Sequence, residues 1–459
     1  MTQTSPDTRA AAGLYPVDPA WALLADQVTS AEPRPSRPVT SPIDGRELGA
    51  VPACLPADVE LAAARARAAQ PAWAALGPER RADVIVRFKD LLVKNRDGLL
   101  ELVHAENGKS RTGALEEFLD AVLTAGYYAK KAPRVLRTER RAGALPVLTS
   151  AHVNYQPKGL VGIISPWNYP LTLAASDAVP ALLAGNAVLL KPGSLTPLTG
   201  LAVVKLFREA GVPRDVIQAV TGLGADLGTP MVEASDYMMF TGSSATGQLV
   251  VAQCGRRLIG CSAELGGKNA LLVLEDAPLD RAVDGAVQAS FANSGQLCVS
   301  IERIYVARSL FDRFAEAFAE RASELVLGGG AGWEVDLGPL ASAEQLAKVE
   351  AHVADAVRLG ASVLAGGRRR EDLGPLFYEP TVLTGVQEGM AVAREETFGP
   401  VVALFPVDSE DEAIRLANDT DFGLNAAVWT ASAARGKAVA ARLRAGTVNI
   451  NEGYAAAWG

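Results

Sequence analysis

The stretch LVGIISPWNYPLTLAASDAVPALLAGNAVLLK, residues 160–191, reads as strand, turn, helix, strand. Leu160 to Ile164 is a short uninterrupted apolar run, which suits a strand covered on both faces. Pro166 and Pro170 bound a turn that holds Trp167, Asn168 and Tyr169. A helix of about 15 residues follows and ends at Gly185-Asn186, and Ala187 to Leu190 is a second strand. Outward from this unit the alternation continues. A helix is expected from about Pro197 to Ala210, stopped by Gly211, then strands near Val216–Val220 and Tyr237–Thr241 and a helix from about Ala245. Strands alternating with helices in this way predict an open parallel α/β sheet, whose ligands bind at the carboxyl ends of the strands.

A second unit of the same kind follows Asn269. It comprises a strand at 270–274, helices at 279–293, 309–327 and 342–359, a strand at 301–306, and strands around 378–383, 401–406, 425–429 and 446–450. Upstream, Pro56-Ala57-Asp58 opens an Ala-rich helix to about Leu76. Pro78 opens another, with Ile85, Phe88, Leu91 and Leu92 on one face. Helical pattern runs to about Lys131, and 134–158 reads as extended. Residues 1 to about 55, rich in Pro, Ala and Ser, read as partly disordered or wrapped on the surface. The chain stops at Ala455-Ala456-Ala457-Trp458-Gly459, an apolar end soon after a strand, which reads as a truncation.

At 459 residues the chain is too long for one simple core, and two or three domains are expected. A net charge of -8 gives no reason to expect a nucleic-acid partner. Arg368-Arg369-Arg370 is the longest basic run and reads as a solvated loop. Without a signal peptide or an apolar stretch of membrane-spanning length, the expected location is the cytoplasm. Cys54, Cys254, Cys261 and Cys298 are scattered, which argues against a disulfide framework and a structural zinc site. His104, His152 and His352 lie far in sequence from every motif, so the chemistry is expected to run without histidine.

Four segments carry chemistry. Gly242-Ser243-Ser244-Ala245-Thr246-Gly247 joins a strand to a helix. Glycines allow close backbone approach, and the free N–H groups of a helix start attract phosphate. Its G-x4-G spacing matches neither the usual dinucleotide fingerprint nor a P-loop, and alone it is equally a tight turn with a serine cap. Cys298 ends the polar run Asn293-Ser294-Gly295-Gln296-Leu297, a setting that leans toward a reactive thiol. Glu264, before Leu265-Gly266-Gly267-Lys268, is the natural general base where histidine is lacking. Asn168 follows a strand end and is a candidate amide donor to an oxyanion.

Together with Glu396-Thr397-Phe398-Gly399-Pro400, these segments resemble the aldehyde dehydrogenase superfamily, from about residue 38 onward. The resemblance implies two doubly wound open parallel-sheet domains plus a β oligomerisation arm. It places a cofactor domain at 1–133 and 156–264, an arm at 134–155, and a catalytic domain at 265–459 that is incomplete at its end. Residues 1–37 are expected to be partly disordered. It implies that Cys298 attacks the aldehyde carbon. The Asn168 side chain and the Cys298 backbone N–H would hold the oxyanion, and Glu264 would activate the water that hydrolyses the thioester. It implies that Glu396 grips the nicotinamide ribose beside Phe398, with Trp167, Gly242, Ser243 and Leu265 also at the cofactor, Ser243 starting the helix under the pyrophosphate. Lys191 and Ser194 would flank the adenosine ribose. No metal is implied, and a homodimer or homotetramer is.

Two departures bear on specificity. Many NAD-preferring members carry Glu where this chain has Ser194. Loss of that carboxylate, with Lys191 beside it, predicts NADP as the preferred cofactor, with NAD the alternative. The chain is most similar to the succinate-semialdehyde dehydrogenases, including the stretch Leu376 to Thr381. Well-known members of that class hold the substrate carboxylate with arginines at positions that here are Ser176 and Ala292. Arg303 is a candidate replacement, since an unpaired buried carboxylate is costly. The alternatives are a dehydrogenase of broad aliphatic or aromatic specificity, an inactive truncated fragment, and a CoA-acylating relative, against which Glu264 argues.

Overall fold

The computed structural model describes residues 17–145 and 147–454. After a 3-10 helix at Pro19–Gln27 comes a hairpin of β1 (Ser36–Thr40) and β2 (Glu47–Pro52). A second hairpin follows the long helix Arg111–Val135 and consists of β3 (Glu139–Ala142) and β4 (Ser150–Val153). The first large sheet contains β5 (Leu160–Ile164), β6 (Ala187–Lys191), β7 (Ile217–Ala219), β8 (Tyr237–Thr241) and β9 (Gly260–Glu264). Its order is β7-β6-β5-β8-β9, and every pair is parallel.

The second sheet contains β10 (Asn269–Val273), β11 (Ile301–Ala307), β12 (Ser362–Ala365), β13 (Thr381–Thr384), β14 (Val401–Val407), β15 (Asn425–Trp429) and β16 (Thr447–Ile450). Its order is β12-β13-β14-β11-β10-β15-β16, parallel except for the edge pair β12–β13. The fold is α/β with two open, essentially parallel sheets, as the alternation of strand and helix predicts.

Every residue of β5, β6, β7, β10 and β15 is buried, because helices cover both faces. The helix Pro170–Leu183 buries Ala174, Ala175 and Ala178, small residues that let it lie close against its neighbours. Phe88 and Phe207 stack at 3.7 Å between ring centroids, tying the helix Gly77–Lys94 to the helix Pro197–Ala210. In the first sheet the chain steps from β5 outward to β6 and β7, then returns to the other side of β5 with β8. That reversal opens a crevice beyond the carboxyl ends of β5 and β8, where Trp167 and Gly242 lie.

Several expectations need correction. Residues 17–37 are not disordered: Trp21 and Leu24 of the 3-10 helix are buried, while 1–16 lie outside the described residues. The extended reading of 134–158 holds only for two short strands. The helix from Leu279 ends at Phe291, short of 293, because Asn293 and Ser294 take left-handed φ of 51° and 55°. The terminal residues 455–459, read as a truncation, also lie outside the described residues. Among the described residues no helix is long and apolar enough to cross a membrane.

Candidate active site

Cys298 follows the left-handed bend at Asn293-Ser294, which turns the chain out of the helix Leu279–Phe291 and toward Asn168. The Asn168 side-chain amide donates to the Gln296 carbonyl at 3.0 Å. Asn293 Nδ2 donates to the Asn168 carbonyl at 3.2 Å and to Gln296 at 3.1 Å. The buried Lys109 ammonium reaches the Asn168 carbonyl at 2.8 Å and pairs with Glu117 at 2.6 Å. Glu117 in turn accepts the N–H groups of Leu171 and Thr172, at 2.6 and 3.1 Å, at the first turn of the helix Pro170–Leu183. Asn168 is thus fixed from both sides before any ligand arrives.

The backbone N–H groups of Val299 and Cys298 lie near the Cys298 sulfur and favour its thiolate. Burial nonetheless pushes the thiol up to about 12, and the negative charges of Glu396 and Glu264 add to the shift. The resting thiol therefore carries its proton at neutral pH. Glu264 ends β9 with its side chain exposed to solvent, close enough for its charge to act on both Cys298 and Asp177. Burial and then that charge push the Asp177 carboxyl up to about 7.

Asn168 and Cys298 line one cleft together with Trp167, Gly242, Leu265 and Phe398. Ser243 and Glu396 also border it. Ser243 caps the 14-residue helix Ser244–Arg257, accepting the Thr246 N–H at 3.3 Å. Trp167 and Phe398 meet edge to face, 5.6 Å between centroids. Glu396 accepts the Gly267 N–H at 2.8 Å, and a Cβ on Gly266 would come 2.5 Å from its carboxylate. Burial and then the charge of Glu302 push the Glu396 carboxyl up to about 7.

Lys191 is the last residue of β6 and Ser194 follows it by three residues; neither lines that cleft. The Lys191 ammonium is buried and donates to the Pro192 carbonyl at 3.0 Å, and Ser194 Oγ donates to the Gly222 carbonyl at 2.9 Å. Gly193 between them packs on the Pro166-Trp167 turn, where a Cβ would come 2.7 Å from the Pro166 carbonyl. Ser176 and Ala292 are both half-buried. Arg303 does not replace the arginines expected there. It is buried and spends its guanidinium on the carbonyls of Lys268, Leu416 and Ala417 and on the Tyr305 hydroxyl, as a structural tie.

Sequence reasoning missed four residues. Lys268 and Glu302 form a buried ion pair, and Glu302 also accepts the N–H groups of Thr397 at 3.0 Å and Phe398 at 2.9 Å. Gln345 donates to the carbonyls of Thr397 and Phe398 at 2.9 and 2.8 Å. These bonds hold Phe398 at a φ of 56°, unfavourable for a bulky residue. His352 contacts the Thr397 hydroxyl at 3.1 Å, so this histidine does lie beside a motif, brought there by the fold. No group of three or more His, Cys, Asp or Glu among the described residues is placed to hold a metal ion.

The arrangement fits a dinucleotide. It offers a glycine turn and a capped helix start beside a cleft, and the buried Lys191 ammonium, which has no anionic partner among the described residues. The sequence profile of the aldehyde dehydrogenase family matches residues 28–458, and the chain belongs to that family. A Mycolicibacterium smegmatis protein is 52% identical over 94% of this chain and 84% of its own length, and its name provisionally assigns it NADP-linked succinate-semialdehyde dehydrogenase activity. A Pseudomonas putida 3-sulfolactaldehyde dehydrogenase is 38% identical over 90% of this chain and 85% of its own. Among solved structures, an E. coli NADP-dependent enzyme superposes with a TM-score of 0.88 at 36% identity, covering 91% of this chain and 87% of that one. A variant aldehyde dehydrogenase from Bacillus cereus reaches 0.90 at 32% identity, covering 96% and 92%.

Proposed function

We propose that this chain oxidises an aldehyde to its carboxylic acid with NADP as oxidant, through a covalent intermediate on Cys298. What supports the reading is that Cys298, the fixed Asn168 amide and the Gly242-Ser243 turn border one cleft, with backbone N–H groups beside the Cys298 sulfur.

The Cys298 thiol gives its proton to Glu264, whose exposure lets it pass the proton to solvent. The sulfur bonds to the aldehyde carbon, and the carbonyl oxygen becomes an oxyanion held by Asn168 Nδ2 and the Cys298 N–H. Such a donor is worth about 3 kcal/mol of barrier. The nicotinamide, when bound, supplies the acceptor for the hydride that leaves this carbon. The C=O bond re-forms as a Cys298 thioester. Glu264 takes a proton from water, the hydroxide adds to the thioester, and the C–S bond breaks to release acid and thiolate. Glu396, anchored by Gly267, and Phe398, against Trp167, would bind the nicotinamide end. Ser243 and Gly242 would take the pyrophosphate, and Lys191 with Ser194 the adenosine ribose. As in the family generally, an assembly of two or four copies is expected, with the β3–β4 hairpin as the arm.

Succinate semialdehyde is the first substrate to test, from the names of the Mycolicibacterium smegmatis protein and its Mycobacterium tuberculosis counterpart, 51% identical. A broader specificity is favoured by one observation: Ser176 and Ala292 offer no cation, and Arg303 is committed elsewhere. Steady-state rates with succinate semialdehyde and butanal, each with NADP and NAD, decide between them. The first reading predicts a kcat/KM at least tenfold higher for succinate semialdehyde with NADP. Comparable rates with both cofactors, or a strong preference for NAD, defeat the cofactor assignment. Activity that survives Cys298→Ala defeats the mechanism.

A further inference from the structure

The β1–β2 hairpin is latched beside β7, the edge strand of the first sheet. The Cys54 N–H donates to the Thr221 carbonyl at 2.9 Å, and the Thr221 hydroxyl donates to the Pro52 carbonyl at 2.5 Å. The next residue, Gly222, accepts the Ser194 hydroxyl. Arg37 sits on β1 opposite Val51. The hairpin therefore carries Arg37 to the side of the sheet where Lys191 and Ser194 lie.

Arg37 is half-buried and has no hydrogen bond or ion pair among the described residues, unlike Arg34, which is bonded to Asp58 at 2.9 Å. Among the described residues, the Lys191 ammonium has only the Pro192 carbonyl as a hydrogen-bond partner. The two cations feel each other: burial, and then the positive charge of Arg37, push the Lys191 ammonium down to about 8. Their like charges repel, and among the described residues neither is paired with a carboxylate, an arrangement that an anion would relieve. Ser194 adds a hydroxyl and no charge.

We propose that Arg37, with Lys191 and Ser194, forms the pocket for the 2′-phosphate of NADP, and that Arg37 is a determinant of the choice between NADP and NAD. This rests on the cofactor reading given above. A phosphate monoester carries nearly two negative charges at neutral pH, and an arginine fork matches its oxygens. NAD presents only a hydroxyl at that position and gains nothing from Arg37.

The test uses calorimetry on the full chain with two probes, adenosine 2′,5′-bisphosphate and 5′-AMP. The wild type is expected to bind the bisphosphate at least about tenfold more tightly. Arg37→Ala is expected to weaken bisphosphate binding about tenfold and leave 5′-AMP binding unchanged, which also shows that the site is still folded. Arg37→Lys should retain part of the preference. Unchanged bisphosphate affinity in Arg37→Ala overturns the role of Arg37 alone. A wild type that shows no preference overturns the NADP reading and this pocket with it.

Discussion

The side-chain amide of Asn168 donates to the carbonyl of Gln296 at 3.0 Å, across 128 residues of sequence. This bond joins the turn after β5 to the segment two residues before Cys298. It uses one of the two amide hydrogens and leaves the other for a ligand oxygen.

Removing that donor should act on the chemical step. Asn168→Ala is expected to lower kcat by about 100- to 1000-fold, the usual effect of losing one oxyanion donor, with little change in the KM for NADP. Steady-state kinetics at saturating cofactor checks this. A loss of less than threefold contradicts it.

The protonation of Cys298 has its own test. With the thiol pushed up to about 12 by burial and by the charges of Glu396 and Glu264, only the minor thiolate fraction reacts with alkylating agents. The rate of iodoacetamide labelling at Cys298, followed by peptide mass spectrometry, should rise about tenfold per pH unit between pH 7 and 10. A plateau reached below pH 8 contradicts the assignment.

Breaking the buried pair of Lys268 and Glu302 should be costly. Removing one partner of such a pair destabilises by about 3–5 kcal/mol, because it strands the other charge. Glu302→Ala also frees the N–H groups of Thr397 and Phe398, so it should raise the KM for NADP as well. Denaturant unfolding together with cofactor titration reads both effects, and a stability loss under about 1 kcal/mol argues against the pair's role.

Asp177 gives a pH-dependent prediction. Its folded carboxyl is pushed up to about 7 by burial and then by Glu264, above its value in the unfolded chain. Its contribution to stability is therefore fully present below about pH 4 and lost as the pH rises through about 7. Asp177→Asn escapes that loss, so its melting temperature relative to wild type should increase from pH 5 to pH 8. An equal difference at both values would falsify the assignment.

How much of this was legible in the sequence differs by element, for physical reasons. β5, β6 and β10 announce themselves because strands covered on both faces are written as continuous apolar runs. β1 does not, since only Val39 of its five residues is buried and it contains Pro38. β9 hides too: Gly-Cys-Ser-Ala-Glu has no apolar run, and its strand form depends on parallel pairing with β8. Residues at turns after strands, such as Asn168 and Gly242, stood out because turn chemistry is local. Glu302, Gln345 and His352 did not, because each acts through a backbone or side-chain group of the Thr397-Phe398 segment, 45 or more residues away in sequence. Arg303 misled for the opposite reason. Its charge is visible in the sequence, while the carbonyls that consume it are set by the fold.

The covalent role of Cys298 is most directly tested in Glu264→Gln, which should form the thioester and hydrolyse it slowly. The variant is mixed with succinate semialdehyde or butanal and NADP, quenched in acid and mapped by peptide mass spectrometry. The account predicts an acyl group on the Cys298 peptide, formed with one equivalent of NADPH per active site. NADPH formed over many turnovers with the Cys298 peptide unmodified, or the acyl group found on another residue, would contradict it.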